Sequence, residues 1–213
     1  MSPQQKAEIT FAALQARYPK VQGMLLWDSP WQLLVATILA AQCTDRQVNK
    51  VTPELFSRWP GPKEMSQADP AQVAQVIRPT GFYRNKTKSL IQSAARIQEV
   101  YQGQVPRSMS ELLTLPGVAR KTANIVLSNA FGLQEGIAVD THVGRITYRL
   151  GLTQSRDPRR IEQDLVLLFP EKDWGRINHL LVWFGREVCL ARNPGCPDCE
   201  LAHICSKQGL QQN

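Results

Sequence analysis

The chain has 213 residues, with 25 Lys or Arg against 18 Asp or Glu and a formal charge of +7. That length can bury a core without depending on disulfides, and no internal repeat, low-complexity tract or long linker interrupts it. The longest apolar run, "LLVATILAA", is far too short to span a bilayer as a helix.

Apolar residues recur at spacings of three and four, and alternating stretches of strand length are nearly absent, so the pattern predicts an all-α protein. Helices are expected over 3–17, 30–43, 45–58, 70–78, 85–101, 108–114, 119–131, 141–150, 158–168 and 174–188. The first lies in "MSPQQKAEITFAALQARYPK", which lacks the apolar block of a signal peptide and reads as the start of a soluble, cytoplasmic protein. In the second, Cys43 reads as a small buried hydrophobe on a helix. Two later starts are signed by a capping aspartate followed by proline: Asp69 with Pro70, and Asp157 with Pro158. Residues 71–98 carry Arg78, Arg84, Lys86, Lys88 and Arg96 with no acid, a positive stripe that suits a polyanion and equally describes a solvated helix face.

Further along, "ELLTLPGVARKTANIVLSNAFG" stops a short helix at Pro116 and Gly117, turns in about four residues and restarts near Ala119. Such a corner is either an ordinary connection or a helix-hairpin-helix, whose turn amides bind a phosphate without reading sequence. Arg120 and Lys121 at the helix mouth strengthen the second reading. A cation at Lys121 sits at the unfavourable end of the helix dipole, and a lysine amine there is either a phosphate contact or a nucleophile able to form a Schiff base. In "EGIAVDTHVGRITYRLGL", Asp140 stands just ahead of a helix, either as a cap or as a fixed carboxylate that stabilises a cationic sugar transition state.

The chain closes on "CLARNPGCPDCELAHIC", where Cys189, Cys196, Cys199 and Cys205 are spaced C-x6-C-x2-C-x5-C. In a reducing compartment clustered thiols are metal ligands before they are disulfides. Structural zinc sites pair two short knuckles, and only one is present here, so the unequal gaps favour a four-iron four-sulfur (4Fe-4S) cluster while leaving zinc open.

Taken together, "LPGVARKTA", "VDTH" nineteen residues after the lysine, and the cysteine spacing resemble the endonuclease III family, bifunctional DNA glycosylases and AP lyases of the helix-hairpin-helix superfamily. The resemblance runs essentially end to end. It implies two helical domains flanking a DNA-binding cleft: a six-helix barrel domain with the hairpin at 23–134, and a cluster domain from 1–22 and 135–213. It makes Lys121 the Schiff-base lysine, Asp140 the catalytic aspartate and the four cysteines the ligands of a 4Fe-4S cluster. Gln42 falls where a glutamine fills the gap left by a flipped nucleotide, Phe82 where a side chain wedges between bases, and Asp45 and His142 where pocket contacts are expected. Arg84, the hairpin residues Gly117, Val118, Ala119 and Arg120, and Arg192 of the cluster loop are the implied DNA contacts. The implied activity is removal of oxidised pyrimidines from double-stranded DNA by a monomer, followed by cleavage of the abasic site. Ala119 replaces a usual glycine and would be strained at positive φ, and Asn193 and Gly195 stand where relatives carry cations. The rival readings are an adenine glycosylase, which lacks the hairpin lysine, a non-catalytic DNA-binding module with a structural metal, and an electron carrier.

Overall fold

Seven of the helices begin where a short polar side chain accepts an amide of the turn that follows. Ser2, Ser29, Thr44, Asp69, Ser108, Asp140 and Asp157 play this part, each satisfying at least one of the donors a helix start leaves orphaned. The computed structural model describes residues 1–210 and contains, among them, helices and no strand. The helices are α1 (Pro3–Arg17), α2 (Pro30–Leu39), α3 (Asp45–Arg58), α4 (Pro62–Ser66), α5 (Pro70–Ile77), α6 (Tyr83–Tyr101), α7 (Met109–Leu112), α8 (Arg120–Phe131), α9 (Thr141–Leu150), α10 (Pro158–Val166) and α11 (Trp174–Glu187).

Beyond shifts of one or two residues at several helix ends, three features differ from the sequence expectation. Helix α2 stops at Leu39, so Cys43 is half-buried in a bend and not a buried helical residue. Helix α4 is unforeseen because it is a single turn started by Pro62, with no side-chain cap. Helix α5 gives way to a 3-10 turn at Arg78–Thr80, and Phe82 starts α6 from the left-handed region at φ 48°.

Contacts divide the chain into residues 24–135 and a second unit of residues 1–23 with 136 onward. The first unit holds α2–α8 around a core that includes Leu34, Leu55, Met65, Leu90 and Leu127. Within it α6 packs on α4 and α5 and touches α2, while α8 lies against α2 and α7. The second unit packs α11 against α1 and α9, around Leu14, Ile146, Leu165, Leu181 and Phe184. Fully burying a side chain of this size contributes about 1.5–3 kcal/mol, so each unit has its own hydrophobic support. No helix among the described residues is long and apolar enough to cross a membrane.

Candidate functional site

The turn between α7 and α8 is held from behind by α6. Ser93 Oγ donates to the carbonyl of Pro116 at 2.7 Å, and Arg96 Nε to Thr114 Oγ1 at 2.9 Å. Gly117 lies at φ 81°, and a Cβ there would come within 2.7 Å of Ser89 Cβ and Oγ, so the position requires glycine twice over. The amides of Gly117 and Ala119 have no acceptor among the described residues, whereas that of Val118 donates to Leu115 O at 3.1 Å. Val118 therefore departs from the expectation: its amide is used internally and its side chain is buried. Ala119 is the N-cap of α8 with φ −101°, an extended backbone that alanine adopts freely, so the anticipated strain does not arise. Arg120 and Lys121 follow in the first turn, both exposed. Free amides at the positive end of a helix dipole, flanked by two cations, make an anion-binding mouth.

Asp140 is the N-cap of α9. Its Oδ1 accepts the amides of His142 and Val143, each at 2.8 Å, and Oδ2 has no hydrogen-bond partner among the described residues. His142 is half-buried, and burial pushes its imidazole below the ordinary histidine range. Its Nδ1 lies 3.1 Å from Arg145 Nη2. Gly185 of α11 makes this packing possible, since a Cβ there would stand 2.6 Å from His142 Nδ1.

Gln42 and Phe82 both occupy turns in the first unit, and both are non-glycine residues in the left-handed region, at φ 53° and 48°. Phe82 is 62 % exposed, an unusual place for a large aromatic side chain, and Gln42 is exposed as well. Asp45 opens α3, where the helix dipole favours an acid. Arg84 is exposed and lies over the Tyr83 ring, 5.4 Å from its centroid. Of the positive stripe, Arg78, Arg84 and Lys88 are exposed, but Lys86 is not. Its ammonium is buried and donates to Leu39 O at 2.8 Å and Thr80 O at 2.9 Å, so it faces the protein and cannot serve a polyanion.

Cys189, Cys196, Cys199 and Cys205 line one cavity in the second unit, walled by Ile146, Phe184, Leu201 and Arg149. Among the described residues no three His, Cys, Asp or Glu side chains converge on a point that would hold a single metal ion. Donors are aimed at the sulfurs: Arg149 Nη1 stands 3.3 Å from Cys189 Sγ, and the Lys207 amide 3.4 Å from Cys205 Sγ. Burial pushes the Cys199 and Cys205 thiols up, which thiolate ligation to a cation would offset. Arg145 and Arg149, one turn apart on α9, fix the loop backbone through the carbonyls of Cys189, Leu190 and Ala191. Arg192 is exposed, and Asn193 adopts φ 49°.

A family model described as HhH-GPD superfamily base excision DNA repair protein matches residues 35–171, a span that includes the hairpin, Lys121 and Asp140. The chain is 50 % identical over 204 residues to endonuclease III of Synechocystis sp., covering 96 % of this chain and 93 % of that one. It is 42 % identical to endonuclease III of Bacillus subtilis, over 88 % of this chain and 86 % of that one. The chain belongs to the endonuclease III family. Two solved endonuclease III structures, a non-covalent DNA complex and a trapped covalent DNA intermediate, each superpose with a TM-score of 0.92 at 38 % identity over 97 % of both chains. As a member of the family this protein is a base excision repair enzyme, a DNA glycosylase with AP lyase activity.

Family membership sets the hairpin and Asp140 in context, but sequence reasoning passed over the Arg145–Arg149 pair and Gly185 and misplaced Lys86. Arg145 and Arg149 could have been found from their spacing of four on α9, since a pair of cations on the face that also bears buried Ile146 and Leu150 needs acceptors. Gly185 and Lys86 carried no such signal, because what they touch is remote in sequence.

Proposed function

We propose that this chain removes oxidised pyrimidines from double-stranded DNA and cleaves the resulting abasic site by β-elimination, with Lys121 as nucleophile and Asp140 as its electrostatic partner. The observation that carries the reading is the mouth of α8, where exposed Lys121 follows the acceptor-free amides of Gly117 and Ala119. Those amides suit a DNA phosphate, and the phosphate would hold the sugar of the damaged nucleotide near the lysine amine. The amine attacks the sugar C1′ carbon, the bond to the base breaks, and the base leaves with the electron pair and takes up a proton. Ring opening gives an imine between Lys121 and C1′. Loss of a C2′ proton then expels the 3′ phosphate, and water releases the lysine. The Asp140 carboxylate, held by two amides, stabilises the positive charge that develops on the sugar. The trapped covalent complex of the 38 % identical relative supports a covalent route.

The base must leave the stack before its glycosidic carbon is within reach. Gln42 would fill the vacated gap, Phe82 would wedge between bases, and Asp45 and His142 would contact the extruded nucleotide. Arg84, Arg120 and Arg192 would meet phosphates. Cys189, Cys196, Cys199 and Cys205 would hold a 4Fe-4S cluster: a cavity ringed by four thiols, with a guanidinium and an amide aimed at sulfur, suits an all-thiolate polynuclear group. When bound, such a group supplies a covalent cross-link that fixes the loop 189–205. The protein would act as a cytoplasmic monomer.

Borohydride reduction tests the covalent step. It should trap the protein on abasic duplex DNA, and Lys121→Gln should abolish trapping while leaving DNA binding within about twofold, since the phosphate-binding amides remain. Trapping that survives Lys121→Gln would remove the assigned role.

A further inference from the structure

Among the described residues Lys86 is the only buried lysine, at 5 % exposure, and its two hydrogen bonds both go to backbone carbonyls. A buried ammonium matched only by neutral acceptors is costly beside an apolar side chain of the same length. Burial accordingly pushes its pKa down, opposed by the nearby Cys43 thiol. The cost is informative because of where the two carbonyls lie. Leu39 is the last residue of α2, three before Gln42, and Thr80 is two before Phe82.

Both turns hold a residue with a Cβ in the left-handed region, a conformation that side chains disfavour. In the first unit Gln102 also has positive φ, but it caps the end of α6, where that conformation is common. Gln42 and Phe82 have no such excuse and must be held by their surroundings. Lys86 is suited to hold them. Its amide closes the first turn of α6 on Phe82 O at 3.1 Å, and its side chain runs back, as helical side chains do, past that turn to Thr80. The same ammonium meets an orphan carbonyl at the negative end of α2, where a cation is favoured.

We propose that Lys86 is a positioning residue for nucleotide extrusion, a single buried ammonium that staples the Gln42 turn to the Phe82 turn and fixes the spacing at which the two side chains enter the duplex. The proposal rests on the reading that these side chains invade DNA. Lys86 touches neither substrate nor reacting atoms.

The test compares single-turnover cleavage of an abasic site in duplex DNA with cleavage of the same site in a single strand, which needs no extrusion. Lys86→Met keeps the stem and deletes both hydrogen bonds. It should slow the duplex reaction on the order of tenfold and the single-strand reaction by less than about twofold. Phe82→Ala should show the same selectivity, and the double variant should be no slower on duplex than Phe82→Ala, because both changes disable one step. Equal slowing on both substrates by Lys86→Met, or none, beside a selective Phe82→Ala, would overturn the proposal and leave the invasion reading standing. A Phe82→Ala variant slowed equally on both would overturn the invasion reading and the proposal with it. Should Lys86→Met fail to fold, Lys86→Gln, which can still reach one carbonyl, is judged by the same ratio.

Discussion

With Oδ1 of Asp140 committed to the amides of His142 and Val143, the carboxylate is fixed in orientation while its second oxygen remains available. The two roles open to this residue, helix cap and charge stabiliser, can therefore be separated by one substitution. Asparagine caps a helix about as well as aspartate, so Asp140→Asn should change stability by less than about 1 kcal/mol in chemical denaturation. The lost charge should lower single-turnover base excision by roughly 10²-fold or more, with DNA affinity nearly unchanged. A variant that keeps near-wild-type turnover would reduce Asp140 to a cap. His142, beside it, cannot replace the lost negative charge, because an imidazole is either neutral or cationic.

At the scale of elements, α6 organises the turns of the first unit. One stretch of the helix carries Lys86, Ser89, Ser93 and Arg96, which meet the turns at Leu39, Thr80, Gly117, Pro116 and Thr114. The close approach of Gly117 to Ser89 means that Gly117→Ala combines a left-handed alanine with a steric shift, a loss of roughly 2 kcal/mol or more in denaturation midpoint analysis. Ala119→Gly should stay within about 0.5 kcal/mol, because an extended N-cap tolerates either residue. A large stabilisation by Ala119→Gly would show that the turn is strained after all. The hairpin and the capped helix starts were legible in sequence because each is a local device: Pro116 and Gly117 end a helix, and Asp69, Asp140 and Asp157 begin one within three residues. The one-turn α4 has no such cap, and the left-handed turns at Gln42 and Phe82 contain no residue that asks for that conformation there. Lys86 was misread as part of the positive stripe for the same reason, since its acceptor at Leu39 is 47 residues away.

Across the whole molecule, the +7 charge gives a long-range attraction to DNA, yet the loop from Cys189 to Cys196 has Arg192 as its one cation. Whether that loop meets phosphates can be tested by adding charge where the backbone permits it. Asn193 is the wrong place, because φ 49° is tolerated by asparagine and costs a lysine about 1 kcal/mol or more. Gly195 is the right one: its φ is not positive, and a Cβ there meets only Val188 O, at an ordinary 3.7 Å. If the loop faces DNA, Gly195→Arg adds one phosphate contact, so affinity for duplex should rise at low salt. The slope of log K against log salt should steepen by roughly 0.9. The cysteine spacing is untouched, so both proteins should carry about four irons per chain with the same broad visible absorbance, read by iron analysis after anaerobic purification. One zinc and a colourless preparation would replace the cluster with a mononuclear site. An unchanged salt slope in a protein that keeps its iron would confine the loop to holding the cluster, and Arg192 would lose its place among the DNA contacts.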